Sequence, residues 1–162
     1  MEYSLFMIKP CAYKQKKEIL DIISKKLNII FTKDIVLDEK FLNKLYRNEK
    51  NIKYRGINTQ QLKGGNACIG IVSGEHAVKD LITICGDKPL GKMCDKDSIR
   101  YKFSPQNDII NIGDKIFFAN AIHKSDPEEA LDDVILFITE FLKEETQKCN
   151  IELSQNQNNE RY

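Results

Sequence analysis

The chain contains two histidines, and histidine is the side chain whose ordinary pKa lies closest to neutral pH. His123 stands in Asn120-Ala-Ile-His123-Lys-Ser125-Asp126, at the predicted end of an apolar strand and just before a helix start. Its plain account is a strand-end ring satisfied by a backbone carbonyl. His76, beside Glu75 in the first turn of a predicted helix, reads as a solvated surface residue. The surroundings of His123 favour chemistry. Lys9 ends the first apolar run, and strand ends in a ferredoxin-like α+β sheet share one edge with loop residues. Arg100 follows Ser98-Ile in an irregular region, with Lys88 and Lys92 nearby. Each cation alone would read as solvated charge in so lysine-rich a chain. A histidine, several cations, Asn120 and tyrosines together suit holding a triphosphate and attacking its terminal phosphorus.

One motif points elsewhere. Gly86-Asp-Lys-Pro-Leu-Gly91-Lys92 matches the start of a P-loop, but Met93 stands where a Ser or Thr hydroxyl must hold magnesium. The segment also follows a helix, whereas a phosphate cradle needs strand, loop and then helix so that backbone amides point at the anion. We therefore set it aside.

The elements that must position these residues follow from periodicity. Ser4 to Ile8 is a continuous apolar run, predicting a buried strand. Ile19, Ile22, Ile23 and Leu27 recur at helical spacing, and Ile29 to Leu37 is a β-branched second strand. Asp38 is a candidate N-cap for a helix with Phe41, Leu42, Leu45 and Tyr46 on one face. A short helix is expected before Gly64-Gly65, then a third strand over Ala67 to Val72 ended by Gly74. A helix marked by Val78, Leu81, Ile82 and Cys85 stops at Gly86. The next thirty or so residues carry no clear period beyond a turn near Ser98 to Lys102. Lys115 to Ala121 is the predicted fourth strand. Asp126-Pro-Glu-Glu predicts the start of a helix whose Leu131, Val134, Ile135, Ile138, Phe141 and Leu142 form its apolar stripe. The order predicts an α+β fold: a ferredoxin-like βαββαβ plan, a four-stranded antiparallel sheet with helices packed on one face. Residues 1–142 are expected to form one domain and 143–162 a polar, flexible C-terminal tail.

Composition narrows the class. The chain has 162 residues, 41% apolar and 30% charged, which is ordinary for one globular domain. Lys and Arg number 25 against 24 Asp and Glu, so no overall field exists to grip nucleic acid or an anionic membrane. The five cysteines are scattered without a C-x-x-C pair, which predicts a reducing, cytoplasmic setting rather than a disulfide frame or zinc site. The opening Met-Glu-Tyr-Ser predicts no secretory signal, and no apolar run is long enough to span a bilayer.

The residues in order resemble the nucleoside diphosphate kinase family over roughly Tyr3 to Phe141. The family opens with a strand into Lys-Pro-Asp; here the run is Phe6-Met-Ile-Lys9-Pro10-Cys11. Its Tyr followed eight residues later by an aromatic is similar to Tyr46 and Tyr54, and its Ser-Gly-Pro to Gly64-Gly65-Asn66. Its Gly-Thr-Ile-Arg resembles Asp97-Ser98-Ile99-Arg100. Its Asn-x-x-His-Gly-Ser-Asp is met by Asn120, His123, Ser125 and Asp126. The resemblance implies a ping-pong kinase in which His123 takes the γ-phosphate of a magnesium (Mg2+) nucleotide and passes it to a second nucleoside diphosphate. It implies that Lys9 and Arg100 neutralise the transferred group, Lys9 and Asn120 hold sugar hydroxyls, Tyr46 supports the histidine, and Tyr54 stacks on the base. It implies that Asp133, with Ser125, orients the ring. ATP, ADP, GTP, GDP and their deoxy forms are the expected substrates, with no protein ligand to the metal and a homo-oligomeric (hexameric, tetrameric or dimeric) assembly.

Several positions depart from the family pattern. Ile82 falls where the family has a second phosphate-binding arginine, and Lys88 falls at its phosphate-binding Thr, where it could restore the charge. Cys11 and Lys124 replace an Asp and a Gly. The segment between Phe103 and Asn120 is about ten residues longer than in the shortest members. Two other readings compete: a catalytically weakened nucleotide-binding or protein-interaction module of the same fold, which Ile82 favours, and an RNA-binding sheet. The second would need an RNP-like aromatic pattern, which the first and third strands lack.

Overall fold

The computed structural model describes residues 1–49, 54 and 56–142. The predicted tail, 143–162, lies outside the described residues. Leu5, Phe6, Met7 and Ile8 have no solvent exposure, so the first strand has no wet face. That strand, β1 (Glu2–Ile8), occupies the interior of the sheet. It pairs antiparallel with β3 (Asn66–Gly74) on one side and with β6 (Ile122–Lys124) on the other. β2 (Asn28–Val36) joins the far edge of β3, giving the order β2-β3-β1-β6. The edge strand β2 alternates exposed and half-buried residues, as a strand with one covered face should.

The four-stranded antiparallel α+β plan holds, but helices cover both faces of the sheet rather than one. Leu5 and Met7 of β1 point into a core with α2 (Glu39–Leu45), α3 (Ile57–Leu62) and α6 (Ala130–Phe137). Phe6 and Ile8 point into a second core with α1 (Lys16–Ser24), α4 (Ala77–Cys85) and Ile99 of α5 (Ile99–Phe103). The unbroken apolar run in β1 reflects burial on both sides, since alternation is lost when neither face meets water. Asp38 caps α2 as predicted, its carboxylate accepting from the Phe41 amide at 2.7 Å.

Two assignments near the site need correction. The predicted fourth strand, Lys115 to Ala121, divides in two. β5 (Lys115–Phe118) pairs only with β4 (Ile109–Ile112) in a separate hairpin, and the fourth strand of the main sheet is the three-residue β6. Two apolar runs joined by Gly113-Asp114 are a hairpin signal, and it lies within the segment read as irregular. The last helix begins at Ala130, three residues later than the predicted first turn at Pro127. Asp126 does not cap it; that carboxylate accepts from Lys124 Nζ at 2.9 Å. The inward face of α6 is Ala130, Asp133, Val134 and Phe137, leaving Leu131 66% and Ile135 52% exposed. A small residue and a buried acid take the positions that an apolar stripe would mark, which rotates the face by about one residue.

The loop after α4 is pinned close to the sheet end. Gly86 closes the helix at φ +100°, and the Gly91 amide donates to the buried Asp108 carboxylate at 2.6 Å. A Cβ on Gly91 would stand 2.3 Å from the Arg100 carbonyl oxygen. Backbone is the obstacle, so relief requires moving the loop. Gly91→Ala is expected to destabilise the fold by roughly 1–3 kcal/mol in urea unfolding; an unchanged midpoint would contradict this close approach.

Candidate active site

Strand register decides which way His123 faces. It lies opposite Met7 in β6, so it shares the face of the sheet packed by α2 and α6. Tyr46, the residue that ends α2, meets the imidazole edge to face, with ring centroids 5.2 Å apart at 75°. Nε2 of His123 and Oη of Tyr46 are both buried and find no hydrogen-bond partner among the described residues. With Nε2 buried, Nδ1 is the ring nitrogen left to a ligand in the cleft.

Cations surround the ring. Lys9, at the end of β1, has its backbone amide on the Ala121 carbonyl at 2.9 Å. Its buried ammonium donates to Asn120 Oδ1 at 3.0 Å and to the Phe118 carbonyl at 3.4 Å. Arg100, 8% exposed, grips the Ile122 carbonyl through Nε and Nη2 at 3.1 Å each and the Lys88 carbonyl through Nη1 at 2.7 Å. Asn120 Nδ2 donates to the Pro89 carbonyl at 2.8 Å. Arg100 and Asn120 therefore also fix the loop after α4, whose Asp87 and Pro89 line the same cleft as the histidine.

These charges set protonation. Burial, then Lys9, Arg100 and Lys124, hold the His123 pKa well below the usual histidine range, so the ring is neutral at physiological pH. Burial, and then the Arg100 charge, bring the Lys9 pKa down to about 7. Burial pushes the Tyr46 phenol upward, so it stays protonated. A neutral imidazole keeps a lone pair, and cations beside it can attract an anion, which together are what phosphoryl transfer to nitrogen requires.

The ring opens on a cleft of about 400 Å³ whose wall includes Tyr54, Arg100, Asn120 and His123. The hairpin contributes Ile116 and Phe118, and the Phe118 ring lies 5.6 Å from that of Tyr54. Glu49, Asp87, Asp126 and Glu129 also reach this wall, so a bare polyphosphate meets negative charge at the rim. A magnesium-bound polyphosphate suits such a wall better. Among the described residues no three His, Cys, Asp or Glu side chains gather to hold a metal of the protein's own. No helix among them is long and apolar enough to cross a membrane.

Tyr46, Tyr54, Arg100, Asn120 and His123 thus line one cleft, with the buried Lys9 bonded to Asn120 of its wall. Ser125 and Asp133 lie buried behind it, with Ser125 Oγ donating to Asp133 Oδ2 at 2.7 Å. No hydrogen bond links Asp133 to His123 among the described residues. The Lys88 ammonium stands outside, exposed and 2.9 Å from Asp87 Oδ2, and it is the Lys88 carbonyl that serves the site through Arg100. Cys11 directs its thiol at the Ala119 and Asn120 carbonyls. Sequence reasoning missed Ile116 and Phe118, which the Gly113-Asp114 turn signal would have found. It also missed Arg47, whose Nη1 donates to Asp133 Oδ1 at 2.9 Å and which has no local signature.

Residues 2–143 match the family model described as nucleoside diphosphate kinase. No curated protein sequence matches the chain. Among solved structures, the nucleoside diphosphate kinase of Aquifex aeolicus is similar at TM-score 0.70 and 22% identity, covering 84% of this chain and 94% of its own. The enzyme of Borrelia burgdorferi, a transition-state mimic with vanadate and ADP, is similar at 0.68 and 17%, covering 84% and 86%. That of Halobacterium salinarum, in complex with CDP, is similar at the same TM-score and identity, covering 84% and 86%. Identities this low speak for the fold.

Lys9 supplies a direct check on the electrostatics. With its pKa near 7, the empty site leaves Lys9 largely neutral above that pH, and a bound phosphate anion raises the pKa again. Calorimetry of ADP binding at about pH 8, in buffers of different ionisation heat, should report uptake approaching one proton per site. His123 starts too low to contribute at that pH. Heats independent of the buffer would contradict a depressed lysine.

Proposed function

The chain belongs to the nucleoside diphosphate kinase family, and from that premise we propose that it moves the γ-phosphate of a nucleoside triphosphate to a nucleoside diphosphate through phosphohistidine at His123. What carries the reading is His123 on the wall of the cleft, held neutral by burial, with its Nε2 buried, Arg100 on the same wall and Lys9 bonded to Asn120 beside it.

In the first half-reaction the Nδ1 lone pair attacks the γ-phosphorus. The bond from phosphorus to the bridging oxygen breaks, and the nucleoside diphosphate leaves with that electron pair. In the second, a terminal oxygen of an incoming diphosphate attacks the same phosphorus and the N–P bond breaks. Lys9 and Arg100 offset charge on the transferred oxygens, and because both are held on backbone or Asn120 they need no reorganisation as charge develops. Asn120, fixed by Pro89, and Lys9 would meet the sugar hydroxyls. Tyr54 offers a stacking face that any base can use. Magnesium enters as part of the substrate. Ser125 and Asp133 act on the ring from behind, without a direct bond to it. We carry homo-oligomeric assembly, cytoplasmic location and the set of ATP, ADP, GTP, GDP and deoxy nucleotides as parts of the same proposal.

Lys88 belongs to it as a phosphate contact that forms on binding. Its pair with Asp87 is exposed on both sides and screened by solvent, so opening it costs little. Lys88→Ala should lower kcat/KM by at least about tenfold, or roughly 1.4 kcal/mol, while Lys92→Ala serves as the control. Equal, small effects would leave Lys88 as a rim charge.

The weakened binding module draws on Ile82, an apolar residue in α4 that cannot contact phosphate by charge. Incubation with γ-labelled ATP separates the two readings. The kinase should acquire acid-labile, base-stable label that His123→Ala abolishes and His76→Ala leaves intact. A wild-type chain that binds nucleotide but takes no label is the module; label that survives His123→Ala contradicts the assigned nucleophile.

A further inference from the structure

One buried acid ties the loop after α4 to the foot of the hairpin. Asp108, 3% exposed, stands directly before β4, and its Oδ2 accepts from the Gly91 amide at 2.6 Å. Its backbone carbonyl accepts from the Ala119 amide at 2.9 Å, which closes the open end of the hairpin. The Ala121 amide donates to Ser104 Oγ at 2.9 Å. The residues on both sides of Asn120 are therefore held by the segment that follows α5. Asp108 itself is not on the wall of the cleft. A buried carboxylate calls for a reason, since its desolvation is unfavourable unless a donor meets it. Here the donor is a loop amide, and a carboxylate holds such a donor more strongly than a neutral oxygen does.

We propose that Asp108 is a positioning residue of the cleft: it latches the loop after α4 through Gly91, so that the Lys88 and Pro89 carbonyls stand where Arg100 and Asn120 bond to them. The inference rests on the reading of the cleft as a nucleoside phosphate site, but its first test needs no ligand.

The bonds run in one chain from Asp108 to the cleft. Gly91 lies two residues after Pro89, and a Cβ on it would meet the Arg100 carbonyl, so the loop backbone is in close contact with α5 at this point. Within the loop the Cys94 amide returns to the Gly91 carbonyl at 2.9 Å and the Met93 amide to the Leu90 carbonyl at 3.1 Å, so Gly91 moves with its neighbours. The Lys88 carbonyl takes Arg100 Nη1, and the Pro89 carbonyl takes Asn120 Nδ2. Asn120 Oδ1 in turn takes the Lys9 ammonium. Without the bond at Gly91 the loop would rest on Arg100 and Asn120, reversing which part supports which. A side chain on a fixed support binds a ligand without first losing its freedom; one on a loose support loses that freedom on binding, and the complex is weaker.

The latch is read first by hydrogen exchange of the Gly91 amide in the whole chain without ligand. Asp108→Ala should speed that exchange by at least about tenfold, and Asp108→Asn, which keeps an oxygen acceptor of the same shape, by less than about threefold. Calorimetry with magnesium ADP is the second reading. Asp108→Ala should weaken binding about tenfold, and Asp108→Asn should recover most of that affinity. On an Asn120→Ala background, Asp108→Ala should weaken binding by less than about threefold, because one of the two side chains through which it acts is gone. If Asp108→Ala does not fold, Asp108→Glu, which displaces the acceptor by one methylene, should give smaller changes in the same directions. Unchanged Gly91 exchange in the Ala or Glu variant overturns the proposal. So does an equal loss of affinity with and without Asn120, which would make Asp108 a residue of the fold at large. A wild-type chain that takes no magnesium ADP would count against the nucleotide reading, and Gly91 exchange would then decide the latch by itself.

Discussion

A nitrogen can attack phosphorus only while it holds a free lone pair, and His123 keeps one because its surroundings refuse the proton. Burial and three nearby cations act in the same direction. The cations that suppress the imidazolium are also those that would attract a phosphate. One charge arrangement thus prepares both reactants, and the rest of the structure holds that arrangement together. It has a cost, visible at Lys9, whose own pKa falls to about 7 in the same crowded space. A site of this kind is under electrostatic strain while empty and relaxes when an anion enters.

The fold supplies this through short-range geometry. Met7 opposite His123 fixes the face on which the ring lies, and Lys9 follows two residues later at the strand end. Arg100 reaches in from α5 and grips the carbonyl of Ile122, immediately before the histidine, so the imidazole and its neighbouring cation share one backbone anchor. Asn120 and Arg100 also hold the carbonyls of Pro89 and Lys88. The loop after α4 is therefore hung from two side chains beside His123, and changes there should reach that site without touching a ligand.

Residue type and order made much of this legible. Lys9, Arg100, Asn120 and His123 carry their chemistry in their identities, and a strand-end position was enough to bring them together. The continuous apolar run of β1 also contained the answer about layers, since burial on both faces abolishes alternation. The misses share a physical cause. In α6 the inward face includes Ala130 and a buried Asp133, so hydrophobic periodicity pointed to exposed Leu131 and Ile135 instead. The hairpin that delivers Phe118 to the cleft had a readable turn, Gly113-Asp114, hidden among polar residues. Arg47 had no sign at all, because its partner lies 86 positions away in sequence and nothing local distinguishes it from a solvated arginine. A buried acid at a helix position that should be apolar is the clue to look for such a partner.

The central claim is that His123 is a neutral nucleophile at physiological pH, and the release of product in the absence of acceptor reads it most directly. Rapid mixing with magnesium ATP alone should release a burst of about one ADP per chain, the sign of a covalent intermediate. At saturating magnesium ATP, where the bound anion keeps Lys9 protonated, the burst rate should stay level between about pH 6 and pH 8, because a histidine held well below its ordinary range does not titrate there. No stoichiometric burst, or a rate that falls with an apparent pKa near 6.5, would contradict it.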